Sequence, residues 1–99
     1  IEVFYYRSED NQARTQESKK LAQLALNQII SSTQAKSRGI KHGDYAVIRE
    51  TKVPAILVEG GFLSNDDELS KIKDPNYLKQ VAWGIAQGIN KYLSLKDEG

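Results

Sequence analysis

Apolar residues recur along this chain with two periods, and each period predicts an element. Residues 1–6, Ile1-Glu2-Val3-Phe4-Tyr5-Tyr6, are β-branched and aromatic with partial alternation, the composition of a pleated, half-buried strand. Further on the period lengthens. Leu21, Ala22, Ala25, Leu26 and Ile29 fall on one face of a helix over residues 12–32, and the polar cluster Ser8-Glu9-Asp10-Asn11 supplies its N-cap. Residues 33–44 turn polar around Gly39 and Gly43 and predict a loop. Residues 45–49, Tyr-Ala-Val-Ile-Arg, predict a second strand and residues 55–59 a third, with Thr51-Lys52-Val53-Pro54 between them. So short a link suits antiparallel neighbours or a wide turn, since parallel partners need a crossover of about a dozen residues. Pro54 donates no ladder hydrogen bond and marks the start of the third strand.

The final third reads as helical. Ser64 or Asn65 caps a short helix running to Lys71, with Asp66, Asp67 and Glu68 in its first turn. Asp74-Pro75 opens another, with Leu78, Val81, Ala82, Ile85, Ile89 and Leu93 on the face predicted to cover the sheet. The small residues Ala82, Gly84, Ala86 and Gly88 allow that helix a close approach to another element, and residues 94–99 read as a frayed tail. The fold class is therefore α/β: a mostly parallel or mixed sheet flanked by helices, in β-α-β-β-α order.

Composition narrows the choices. A chain of 99 residues makes one domain at most, with a modest core. Fourteen basic and thirteen acidic side chains leave a formal net charge of +1, so no strong field points to nucleic acid or an anionic membrane. No apolar run approaches the length of a bilayer span. Cysteine is absent, which removes disulfides and thiolate metal sites. The chain opens on Ile1 without a leader-like segment and reads as a piece of a longer polypeptide.

The sharpest chemical feature is Glu59. It ends the apolar run Pro54-Ala55-Ile56-Leu57-Val58 and is followed by Gly60-Gly61-Phe62-Leu63-Ser64-Asn65. A carboxylate at the end of a buried strand needs a partner, a metal or a chemical task. It can also simply reach solvent, and spacing alone leaves both readings open.

The whole run Arg49-Glu50-Thr51-Lys52-Val53-Pro54-Ala55-Ile56-Leu57-Val58-Glu59-Gly60-Gly61-Phe62-Leu63-Ser64-Asn65 resembles the C-terminal signature of zinc-dependent N-acetylmuramoyl-L-alanine amidases of the amidase-3 family. The aromatic strand at Val3 to Tyr6, Leu21-Ala22 of the first helix, and Arg38-Gly39-Ile40-Lys41 resemble the same family in the same order, so the likeness covers essentially the whole chain. It implies the C-terminal part of a three-layer catalytic domain over residues 1–99. It further implies a peptidoglycan hydrolase cutting the amide between N-acetylmuramic acid and the L-alanine of the stem peptide, outside the cytoplasmic membrane. Glu59 aligns with the family's catalytic glutamate, which takes a proton from a zinc-bound water and passes it to the departing amine. The family's zinc ligands are two histidines and a glutamate from the N-terminal half, so zinc in the complete domain is expected to be held upstream of Ile1. No metal site and no cofactor are expected on this chain alone, which carries a single histidine.

Other residues invite weaker readings. His42 has no partner ligands nearby in sequence and reads as a solvated loop histidine; a Ser64-His42-Asp44 triad lacks a nucleophile elbow. Lys36, Arg38 and Lys41 read as a solvated basic cluster, with peptide carboxylates as the alternative ligand, and Tyr77 and Trp83 as core or boundary packing. Gly60-Gly61 lacks the spacing of a phosphate cradle and reads as a sharp turn. Two rivals to the hydrolase follow. One is a non-catalytic wall-binding or interaction module derived from such a domain; the other is an incomplete unit that self-associates through an exposed sheet edge.

Overall fold

The computed structural model describes residues 1–60 and 66–98, with Glu68 and Glu98 described by their backbone alone. Strand β1 (Glu2–Tyr5) leads into helix α1 (Gln12–Thr33), strand β2 (Ile40–His42), one helical turn α2 (Ala46–Arg49), strand β3 (Leu57–Glu59), helix α3 (Asp66–Ile72) and helix α4 (Pro75–Glu98). The sheet is mixed, in the order β2-β1-β3. β1 is central, parallel to β2 and antiparallel to β3. A parallel pair needs a crossover, and α1 supplies it.

Side-chain alternation along β1 divides the molecule into layers. Val3 and Tyr5 point to the helical side and join Ile1, Ala22, Leu26, Ile29, Ala35 and Tyr77 in the core. Glu2 and Phe4 point to the opposite side, where the Phe4 ring meets Tyr45 edge-on at 5.2 Å. Helix α1 begins where the sequence places its cap: Asn11 Oδ1 accepts from the Arg14 N–H at 2.9 Å. Thr15 Oγ1 accepts from the Ser8 N–H at 2.8 Å and so ties the incoming loop to the first turn. At the other end Gln34 takes the left-handed conformation and returns its N–H to Ile30 O. Buried Ser18 on this helix accepts from the Ala55 N–H at 3.1 Å, which fixes the approach to β3.

Four expectations are corrected. Residues 45–49 form no strand but the single turn α2: it buries Ile48 and leaves Val47 72% exposed, and its N-terminal Tyr45 carbonyl takes the N–H groups of Ile48 and Arg49. The second strand lies inside the expected loop of residues 33–44, where Ile40 reaches the edge of the core. The third strand is shorter than residues 55–59, because the Ala55 N–H is spent on Ser18. The tail of residues 94–99 continues α4 as far as Glu98, since Leu95 and Lys96 carry no helix breaker. The proposed caps Ser64 and Asn65 lie outside the described residues.

Helix α4 also uses a different face. Its main partner is α1 rather than the sheet, and it buries Tyr77, Gly84, Gly88 and Tyr92. Val81 and Ile85 pack partly against the core, while Leu78, Ile89 and Leu93 stay 39–51% exposed. Tyr77 is buried as expected. Trp83 is not: at 63% exposure it points away from the seam that its neighbour Gly84 makes with Ile29.

One polar bond crosses this seam at its far end. The Tyr92 hydroxyl donates to Glu17 Oε2 at 2.5 Å. Burial, then the Glu17 hydrogen bond and charge, push the Tyr92 hydroxyl from 10.0 up to about 12. The same hydrogen bond holds Glu17 below its ordinary 4.5. The raised phenol stabilises the fold fully below pH 10.0, and that contribution disappears as pH rises through about 12. The lowered carboxylate stabilises it above pH 4.5 and ceases to do so as pH falls further. Tyr92→Phe is therefore expected to unfold at lower urea than wild type at neutral pH, with the gap narrowing at both the alkaline and the acid end. A gap that stays constant across the whole range in urea titrations contradicts this coupling.

Candidate functional site

The register of β1 and β3 pairs Glu2 with Glu59, Val3 with Val58 and Phe4 with Leu57. Residues directly opposite in an antiparallel pair project to the same face, with Cβ atoms about 4.5–5.5 Å apart. Val58 therefore joins the core side with Val3, and Glu59 stands beside Glu2 on the face away from α1. Because β3 runs against β1, its carboxyl end lies level with the amino end of the parallel pair. The site is thus at the amino ends of β1 and β2, opposite to the crevice where parallel sheets usually bind ligands.

The two carboxylates differ in their surroundings. Glu2 is 6% exposed, and its Oε2 lies 2.5 Å from Lys41 Nζ on β2. Glu59 is half-buried and, among the described residues, its side chain has neither an ion-pair nor a hydrogen-bond partner. One carboxylate is ion-paired and the other carries no side-chain partner among the described residues. Glu2 escaped sequence reasoning. The available signal was a charge alternating in register with Phe4 and Tyr6, on a face otherwise aromatic.

Other candidate residues do not converge on this pair. His42 ends β2 rather than sitting in a loop; it is exposed, its Nδ1 accepts from the Arg7 N–H at 3.0 Å, and its ring lies 5.7 Å from Tyr6. Asp44 is held by Arg49 Nη1 at 2.6 Å, so it does not orient His42, and Ser64 lies outside the described residues. The expected basic cluster is divided, because Lys41 belongs to β2 and engages Glu2. Gly60 accepts from the Tyr77 hydroxyl at 3.4 Å through its carbonyl. A Cβ added there meets nothing within 4 Å and Gly60 has no positive φ, so the sharp-turn reading gains no support at that glycine; Gly61 lies outside the described residues. A hollow of about 370 Å³ lined by Gln16, Lys19, Lys20, Gln23 and Ile40, and one of about 420 Å³ beside Leu24 and Leu95, both lie away from Glu2 and Glu59. Among the described residues no three His, Cys, Asp or Glu side chains gather to hold a metal ion, so these residues by themselves do not fit a zinc centre.

Comparison with known proteins shows the family and the fold. The family model for N-acetylmuramoyl-L-alanine amidase matches residues 1–91. An endolysin of Bacillus phage SPP1 is 35% identical over 96 residues, covering 97% of this chain and 35% of the phage protein. An uncharacterized cell wall amidase of Bacillus anthracis is 31% identical over 97 residues, covering 96% of this chain and 18% of its own length. Among solved structures, an N-acetylmuramoyl-L-alanine amidase of Clostridium difficile 630 superposes with a TM-score of 0.81 at 38% identity, covering 94% of this chain and 47% of that one. The catalytic domain of CwlV, an amidase of Bacillus (Paenibacillus) polymyxa, gives 0.78 at 39% identity, covering 94% and 48%. The chain thus spans less than half the length of the solved amidases, and it belongs to the N-acetylmuramoyl-L-alanine amidase family as a portion of the catalytic domain.

Proposed function

We propose that this chain contributes Glu59 to a peptidoglycan hydrolase that cuts the amide between N-acetylmuramic acid and the L-alanine of the stem peptide. The observation that carries the reading is the position of Glu59: at a strand end, without a side-chain partner among the described residues, beside a carboxylate already neutralised by Lys41. A carboxylate so placed can accept a proton from the attacking water and return it to the leaving amine as the tetrahedral intermediate collapses. The strand holds it there, because the β1 ladder fixes the backbone on which it stands.

Zinc in the complete domain would polarise the scissile carbonyl and acidify water. The ligands are proposed to come from polypeptide outside these 99 residues, since the described residues gather no ligand set. Action on the bacterial cell wall, outside the cytoplasmic membrane, is part of the same proposal; among the described residues no helix is long and apolar enough to cross a membrane. β2 and β3 each keep an unpaired edge among the described residues, the feature on which self-association of an isolated chain rests.

The bond cut identifies the activity. Full-length protein incubated with purified peptidoglycan is expected to release new amino-terminal L-alanine, read by end-group labelling and mass spectrometry, without new reducing sugar ends. Reducing ends in place of alanine amines assign a glycosidase, and amines of another residue assign a peptidase; either result overturns the proposal.

A further inference from the structure

The three strands set Lys41, Glu2 and Glu59 on one face of the sheet, with Glu59 opposite Glu2 and Lys41 opposite Phe4, the next residue of β1 on that face. Their solvent exposure is uneven: the Glu2 side chain is 9% exposed and that of Lys41 56%. A buried carboxylate needs compensation, and removing its partner leaves an unmatched charge that is strongly destabilising. Among the described residues Lys41 is the group that provides it, reaching from β2, whereas Glu59 faces Glu2 from β3. Like charges directly opposite across strands repel. A Glu2 carboxylate without Lys41 is left with Glu59 as its charged neighbour across the strand pair, and their repulsion turns the base from its place.

The ion pair acts against this outcome. Lys41 Nζ, reaching from β2, holds Glu2 Oε2 at 2.5 Å, so the charge that faces Glu59 is already engaged. We propose that Lys41 is a positioning residue for the amide hydrolysis, acting through Glu2 to keep Glu59 available; this rests on the amidase reading above. Lys41 has a competing use, because an exposed ammonium can hold a carboxylate of the stem peptide directly. The two uses separate in the kinetics: a weakened grip on substrate raises KM, whereas a misplaced base lowers kcat.

The test measures kcat and KM for alanine-amine release by the full-length protein and by Lys41→Met, Lys41→Gln and Lys41→Arg, with thermal unfolding of each. Lys41→Met is expected to lose about 10- to 100-fold in kcat with little change in KM, and Lys41→Arg to recover most of the rate. Where Lys41→Met fails to fold, Lys41→Gln carries the comparison, since its amide still donates to Glu2 without charge; a kcat loss of the same kind is expected. An unchanged kcat, a loss confined to KM, or no recovery in Lys41→Arg overturns the inference. Wild-type protein that releases no alanine amine defeats the amidase reading and this inference with it. Wild type that cleaves while Lys41→Met matches its kcat defeats this inference alone.

Discussion

Gly88→Val is expected to destabilise the fold by about 3 kcal/mol or more, a large share of the total stability of a small domain. The reason is the seam between α1 and α4. A Cβ built at Gly88 meets Ala25 Cα at 2.5 Å and Ala25 N at 2.9 Å; one built at Gly84 meets Ile29 Cα at 2.5 Å and Ile29 N at 2.8 Å. These are backbone atoms, so no rotamer change relieves the clash, and the helices must separate. Separation also strains the bond from Ser32 Oγ to Gln80 O, 2.8 Å long, which ties the same pair of helices together.

Gly88→Ala decides between two effects. Intrinsic propensity favours Ala over Gly by about 1 kcal/mol in a helix interior, whereas overpacking costs about 1–3 kcal/mol. The short distances to backbone give the clash the larger share, so Gly88→Ala is expected to unfold at lower urea than wild type. Ala86→Gly, on the exposed side of α4, isolates propensity and is expected to lose only about 1 kcal/mol. A stabilised Gly88→Ala sinks the close-packed seam.

That seam shows what a sequence makes legible and what it hides. Helix α1 is readable because a long amphipathic repeat, capped from the polar cluster that ends in Asn11, agrees from Leu21 onward with the face it buries: Leu21, Ala22, Ala25, Leu26 and Ile29. Its first turns bury the polar Thr15 and Ser18 instead. The face of α4 is only half readable. Hydropathy assigns the interface to Leu78, Ile89 and Leu93, but close approach rewards the smallest side chains, and the interface goes to Gly84 and Gly88. The glycine spacing predicts a close approach, though not that it would displace the leucines.

Strand β2 is unreadable for another reason. Ile40-Lys41-His42 is too short to show alternation, and pairing with β1 rather than propensity makes it a strand. Residues 45–49 show the converse, with β-branched composition in a segment that tertiary contacts wind into one turn around Ile48. In the site, Glu59 is conspicuous because a charge interrupts an apolar run. Glu2 is not, because its significance depends on the register that sets it opposite Glu59 and within reach of Lys41. Register is a property of the sheet and cannot be read from either strand alone.

Glu59→Gln is expected to lower kcat for alanine-amine release by about 10²- to 10⁴-fold, the range removed with a general acid–base, while KM changes little. Glutamine keeps the size of the side chain and one acceptor oxygen but cannot take up the proton. In barrier height the loss is about 3–5 kcal/mol. Stability should move differently. The Glu59 side chain has no described partner to lose, and its charge opposes Glu2 across the strand pair, so Glu59→Gln is expected to melt at the wild-type temperature or slightly above it. Lys41→Met gives the contrast, because it leaves a carboxylate only 9% exposed without its ion-pair partner, so its melting temperature is expected to fall. Loss of rate without loss of fold at Glu59, set against loss of fold at Lys41, distinguishes a proton carrier from a group that matches a buried charge. Full activity in Glu59→Gln assigns the proton transfer to another group and removes Glu59 from the mechanism.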